Sequence, residues 1–119
     1  MATIQYVPTP IAAFGEQSHH ILWEALVAAS LVGNALEMPG SSDRSVQVVG
    51  TWDSATFVLE GSNDGTTWAT LTDPQGNAIS KTANFIEMIS ELTRYIRPRI
   101  SGGSGSEDLD VHVLVKRVR

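Results

Sequence analysis

Residues 57–73 read FVLEGSNDGTTWATLTD, and their pattern decides the fold. Phe57 and Leu59 fall on one parity, and Thr56, Val58 and Glu60 on the other, as in a strand with two different faces. Asn63-Asp64-Gly65 then supplies turn chemistry, because Gly accepts a positive φ and Asn or Asp can close its own turn with a side-chain oxygen. A second strand carrying Trp68 follows. The stretch commits the chain to β-sheet and offers no reactive group, which points to a protein that presents surfaces.

Working outward, the same signals recur. Downstream lie a turn at Asp73-Pro74-Gln75-Gly76-Asn77, strands at 85–90 and 94–101, a Gly- and Ser-rich loop at 101–108 read as flexible, and a last strand at 110–118 with Val111, Val113 and Val115 on one face. Upstream, residues 45–52 alternate Val46, Val48 and Trp52 against Ser45, Gln47 and Val49. Residues 20–32, HILWEALVAASLV, suit a helix by propensity and a doubly buried strand by pattern. A strand over 21–27 is the better fit to an otherwise β chain. Pro8 and Pro10 keep the first residues extended.

These elements predict an all-β, single-domain sandwich of about 7–9 antiparallel strands. An extended N-terminal arm covers 1–19 and the sandwich covers 20–119. The expected core is Trp23, Val46, Val48, Trp52, Phe57, Leu59, Trp68, Ile96, Ile100, Val111, Val113 and Val115.

Composition narrows the function. The chain has 119 residues, 42% of them hydrophobic, and no cysteine. That is one domain's worth, without disulfides or thiolate zinc sites. No apolar run approaches the roughly 20 residues that cross a bilayer. The first residues lack the basic-then-apolar order of a signal peptide. Net charge is −5, and the basic residues gather late: only Arg44 and Lys81 precede residue 91. Most of the chain repels phosphate, so neither nucleic acid nor membrane is an expected partner.

No nucleophile elbow, phosphate loop or dinucleotide fingerprint occurs, and no carboxylate pair takes acid and base roles. No enzyme and no cofactor are therefore expected. His19 and His20 point to opposite faces of a strand, and His112 stands elsewhere, which is a poor metal set. Asn63, Asp64 and Asp73 lack calcium-loop spacing, and turn formation accounts for them. The densest charged and aromatic group is Arg94, Tyr95, Arg97 and Arg99. On a strand Tyr95, Arg97 and Arg99 share a face, opposite Ile96, Pro98 and Ile100. Pro98 implies an edge or a bulge. The arginines either guard an edge or anchor an acidic partner. Lys116 and Arg117 make a second basic site, and Tyr6, Pro8 and Pro10 of the arm a third candidate contact. The tryptophans read as packing, with a sugar platform as the alternative.

Two resemblances rest on these residues. Leu59 through Trp68 is similar to the Ser-Asn-Asp-Gly-x-x-Trp hairpin of discoidin-type carbohydrate-binding β-sandwiches. Over most of the chain, Glu37-Met38-Pro39-Gly40, Asp43-Arg44-Ser45-Val46-Gln47-Val48, the hairpin, Leu71 to Asn77, Arg94-Tyr95-Ile96-Arg97-Pro98-Arg99 and the Val-rich last strand resemble capsid decoration (cement) proteins of tailed bacteriophages. That resemblance implies a jelly-roll-like fold and a structural protein of the virion's capsid surface, made in the host cytoplasm. It also implies the major capsid protein as partner and a homo-oligomer, a trimer rather than a dimer. The arm and the basic residues would make the contacts. The alternative is a carbohydrate- or host-surface-binding module.

Overall fold

The computed structural model describes residues 3–11, 18–27 and 32–117. The strands in chain order are β1 (Thr3–Ile4), β2 (Tyr6–Ile11), β3 (Ser18–Val27), β4 (Val32–Gly33), β5 (Leu36–Glu37) and β6 (Asp43–Thr51). There follow β7 (Ala55–Ser62), β8 (Ala69–Thr70), β9 (Ser80–Lys81), β10 (Phe85–Met88), β11 (Tyr95–Gly102) and β12 (Asp108–Lys116). They form two sheets. The seven-stranded sheet runs β1-β4-β11-β7-β8, with β5 also on β11 and β9 also on β7. The five-stranded sheet runs β10-β6-β12-β3-β2. From β6 to β7, and again from β10 through β11 to β12, the chain steps from one sheet to the other, the habit of double-sheet jelly rolls. The expected all-β sandwich is the observed fold. Five of its strands are only two residues long, and the β1–β4 pair is parallel.

Alternation builds the core. Val46, Val48, Val111, Val113, Val115 and Trp23 come from the five-stranded sheet, and Phe57, Leu59, Ile96 and Ile100 from the other; all are buried. Burying each such side chain stabilises the fold by about 1.5–3 kcal/mol. Trp52 sits at the margin, half-buried, its indole N–H donating to Asn84 Oδ1 at 2.7 Å. Trp68 is a correction: it is not among the core residues and lies over the outer face of the seven-stranded sheet. The chain from Ser62 to Trp68 makes a wide loop rather than a tight turn, and that loop carries Trp68 outward.

Residues 18–27 form a strand. Its parity breaks once. Leu26 faces Leu109 and Trp23 faces Val111, so Glu24 and Ala25 together oppose Asp110 alone. Ala25 takes a left-handed φ of 62°, and its N–H donates to Asp110 Oδ1 at 2.9 Å. This bulge turns both Trp23 and Leu26 inward, where strict alternation would separate them.

The expected arm is extended, but its described residues are paired. β2 lies antiparallel on β3, and β1 lies on β4. Pro8 and Pro10 fall on an edge strand, where a missing N–H costs the ladder least and discourages further strand addition. Tyr6 packs edge-on against Trp23, with ring centres 5.6 Å apart.

Pro98 is not at an edge, because β11 has β7 on one side and β4 and β5 on the other. It lies at a bulge. Between the pairs Ile96–Leu36 and Arg99–Val32, two residues of β11 face three of the partner segment. The gap between β4 and β5 therefore falls beside the residue that cannot donate. Gly33 leaves the space: a Cβ there would lie 2.5 Å from Trp23 Cδ1 and 2.6 Å from Pro98 Cγ. The loop after β11, read as flexible, is tethered, with Ser104 and Ser106 N–H donating to Asp53 Oδ2 at 3.2 and 2.8 Å.

Candidate functional site

The outer face of the seven-stranded sheet carries the predicted cluster. β11 sends Ile96, Pro98 and Ile100 inward and leaves Tyr95, Arg97 and Arg99 outward, as the alternation predicts. Because β11 is interior, edge protection does not explain these arginines. Across the ladder Arg97 opposes Glu60 of β7, and Tyr95 opposes Ser62. Glu60 is 8% exposed, although it stands on an outer face. Arg97 Nε donates to its Oε1 at 2.9 Å and Arg99 Nη1 to its Oε2 at 3.4 Å. Arg97 also lies over the Trp68 ring, 4.0 Å from its centre. Two ligands thus fix one guanidinium, a carboxylate in its plane and an indole on its face.

Arg94 stands just before β11. Its Nε meets Glu37 Oε2 at 2.6 Å, and its guanidinium lies 5.1 Å from the Tyr95 ring centre. Three guanidiniums meet the carboxylates of Glu37 and Glu60, and Asp64 in the adjoining loop offsets the third, so the patch is balanced in charge within a chain of net −5. Trp, Tyr and Arg are the side chains that carry most of the energy at protein interfaces.

The 62–68 loop props one end of the patch. Backbone N–H groups of Thr67 and Thr66 donate to Asp64 Oδ1 at 2.7 and 2.9 Å, and the Ser62 hydroxyl donates to it at 2.8 Å. The Thr67 hydroxyl donates to Oδ2 at 3.0 Å. These bonds, those from Thr67 and Thr66 foremost, hold the Asp64 carboxyl well below the usual carboxylate range. Asn63 Oδ1 accepts from Arg94 N–H at 3.1 Å, tying the loop to the start of β11. Behind the loop an open cleft of about 530 Å³ is lined by Ser62, Asn63, Asp64, Thr70, Glu91 and Thr93, among others.

The other candidates lie apart from this patch. Tyr6 is spent on Trp23 rather than presented to a partner. Pro8 and Pro10 are exposed on β2, and Lys116 and Arg117 lie at the end of β12, all in or beside the other sheet. Arg117 lines a small hollow with His19, Met38, Gly40 and Ser41. Sequence reasoning missed Arg44. It is 3% exposed, and donates through Nε to the Ser41 carbonyl at 2.7 Å and through Nη2 to those of Met38 and Thr93 at 2.8 and 3.1 Å. Burial pushes its pKa down. The signal was its parity with Val46 and Val48.

His20 and His112, 92 residues apart in sequence, meet on the outer face of the five-stranded sheet, with His20 Nε2 2.9 Å from His112 Nδ1. Their rings are within 6° of parallel, with centres 5.1 Å apart. That separation is what a 2.9 Å contact plus one ring radius at each end spans, so the rings meet edge to edge with one proton between the nitrogens. Two nitrogens 2.9 Å apart and sharing a proton leave no room for a metal between them. Among the described residues no group of three or more His, Cys, Asp or Glu forms a metal set.

No family model matches the chain. No curated protein matches it. Among solved structures it is similar to the K1 cleaved adhesin domain of Lys-gingipain from Porphyromonas gingivalis W83, at 13% identity and a TM-score of 0.37, over 98% of this chain and 85% of that one.

Proposed function

We propose that this chain is a non-catalytic docking protein, and specifically a capsid decoration protein that binds the outside of a phage shell and stabilises it. The observation that carries the reading is the Trp68–Arg97–Glu60 arrangement beside Arg99, Tyr95 and Arg94. It is an arginine-rich, aromatic patch, set in place before any partner arrives, on the flat of a sheet in an acidic chain. Little side-chain ordering remains to be done on binding, so contact energy goes into affinity. A shell offers many identical acidic sites, and an oligomer engaging several gains strength without new contacts. The resemblance of the 94–99 segment to decoration proteins supplies the partner, the major capsid protein.

The test is direct. Purified protein is added to shells that lack it. Saturable binding, weakened by salt and accompanied by a higher shell melting temperature, is expected. Arg97→Ala should lose most of it. Absence of binding at low salt would sink the reading.

A second reading, a carbohydrate- or host-surface-binding module, is favoured by the open cleft beside Asp64 and Glu91. One face of Trp68 is already covered by Arg97, so sugar would enter the cleft rather than stack on that face. A glycan array decides it: retention of a glycan by the wild type and loss in Thr70→Trp, which fills the cleft, would support this reading.

A further inference from the structure

The outer face of the five-stranded sheet is built differently from the arginine patch. In register across all five strands run Ile86, Gln47, His112, Leu22 and Val7. The neighbouring row is Met88, Ser45, Leu114, His20 and Thr9. Neither row holds Asp, Glu, Lys or Arg. Of the six large apolar side chains exposed among the described residues, Val7, Ile11, Ile86, Met88 and Leu114 stand on this face, Ile86 at 65% and Met88 at 52% exposure. Apolar exposure gathered on one face marks an interaction surface.

We infer that this face is the seat of a second copy of the chain, related to the first by a two-fold axis lying between the sheets and across the strands. Three observations select that occupant. Two copies of a chain of net −5 repel, and these rows let them meet without placing formal charges against each other. The charges that flank the rows are polar along the strands: Glu24 and Asp110 lie beyond one end, and Asp43 and Lys116 beyond the other. An axis across the strands inverts the second copy and brings its Lys116, with Asp43 beside it, to the end that holds Glu24 and Asp110, so the one cation flanking the rows meets the doubly acidic end. The size also fits. With strands about 4.8 Å apart and about 3.4 Å per residue, the face is on the order of 20 by 30 Å. That is close to the roughly 800 Å² per partner of a stable interface. A hollow of about 200 Å³ at its centre, lined by His20, Gln47, His112 and Leu114 among others, receives an apolar side chain of the facing copy.

The histidine pair makes the contact acid-sensitive. The single proton between His20 Nε2 and His112 Nδ1 satisfies both nitrogens. A second proton opposes two N–H groups at 2.9 Å and places charge in the middle of the interface. Around the pair stand Ser45 and Gln47 of β6, Ile86 of β10, Leu114 of β12, Leu22 of β3 and Thr9 of β2. The carboxylates on the same face, Glu24 and Asp110 at one end and Asp43 at the other, lie beyond the rows, and none hydrogen-bonds to the pair. The inference stands on this face alone and not on what the arginine face binds.

Light scattering on the eluting protein, or sedimentation, tests it without any shell or glycan. The wild type is expected to be a dimer near neutral pH. Leu114→Lys, an exposed site, should weaken self-association at least tenfold while keeping the wild-type far-UV circular dichroism, and Leu92→Lys, exposed but off the face, should remain dimeric. Lowering the pH from about 8 to about 5 should split the wild-type dimer, because two N–H groups cannot face each other at 2.9 Å. A monomeric wild type at about 100 µM, where even micromolar contacts are populated, overturns the inference. So does a trimer, or a dimer indifferent to Leu114→Lys. A dimer unchanged across the pH interval overturns the role given to the histidines.

Discussion

The guanidinium of Arg97 covers the indole of Trp68 at 4.0 Å, and the same guanidinium holds the carboxylate of Glu60 at 2.9 Å. Trp68 therefore belongs to the surface arrangement and Trp23 to the interior, where its indole N–H donates to the Asn34 carbonyl and to Oδ1 of the same residue, each at 3.1 Å. Replacing them should separate the two roles. Trp23→Ala is expected to cost about 3–5 kcal/mol, as for a large buried aromatic. Trp68→Ala should cost no more than about 1 kcal/mol, the scale of a cation–π contact near the surface. Urea unfolding measures both. Equal losses would mean that Trp68 is core after all.

Glu60 is the second test of the patch. Its carboxylate is nearly covered and serves two arginines. Glu60→Gln removes the charge but keeps the shape, and should destabilise by about 1–3 kcal/mol, the range for a covered charged hydrogen bond. In the double variant with Arg97→Gln the losses should fall short of their sum by at least about 0.5 kcal/mol, because the residues share one network. Strict additivity would show that they act separately.

Gly50 is predicted to be intolerant. Its φ is 142°, and a Cβ would lie 2.2 Å from the Asp108 carbonyl oxygen. Gly50→Ala should therefore destabilise by more than about 1 kcal/mol. At Gly40 a Cβ meets nothing within 4 Å, so Gly40→Ala should be neutral or stabilise by up to about 1 kcal/mol. Thermal melts of the two variants, moving in opposite directions or one of them not at all, check the contrast.

Asp64 gives a pH prediction. Its folded pKa lies below the ordinary aspartate value of about 3.9. The unfolded chain thus binds a proton first as pH falls. The stabilisation is complete above the ordinary value and fades progressively below it. Asp64→Asn should be less stable than the wild type at neutral pH, and the gap should narrow as pH drops below about 4. Melting curves at several pH values measure the gap; a gap that stays constant into acid would count against the turn's dependence on a charged Asp64.

Much of this was legible because alternation is local. Val111, Val113 and Val115, Val46 and Val48, Phe57 and Leu59, and Ile96 and Ile100 declare their inward face from neighbours two residues away. The outward face of Tyr95, Arg97 and Arg99 follows in the same way. What parity could not carry was any break in it. The bulge at Ala25 brings Leu26 inward, and the Asp64-centred loop puts Trp68 outside, and both depend on backbone geometry that the residue types only permit. Partner choice was hidden too. Nothing near Tyr6 says that it will meet Trp23, and nothing near His20 says that His112 will be its neighbour. Arg44 was missed because its charge was counted without its place; its parity with Val46 and Val48 turns it inward.

The order of strands in the five-stranded sheet bears on when the protein can fold. β12, the last strand among the described residues, is the middle of its sheet, and it alone joins β3 to β6. A ribosome delivers β3 and β6 long before their common neighbour exists. Until residue 116 has emerged, β2–β3 and β10–β6 can pair only as two separate halves, and the pairings that then join them span long stretches of chain, which slows folding. The half-sheets leave their inner edges open through that interval, so closing the sheet is a late event that β12 alone completes.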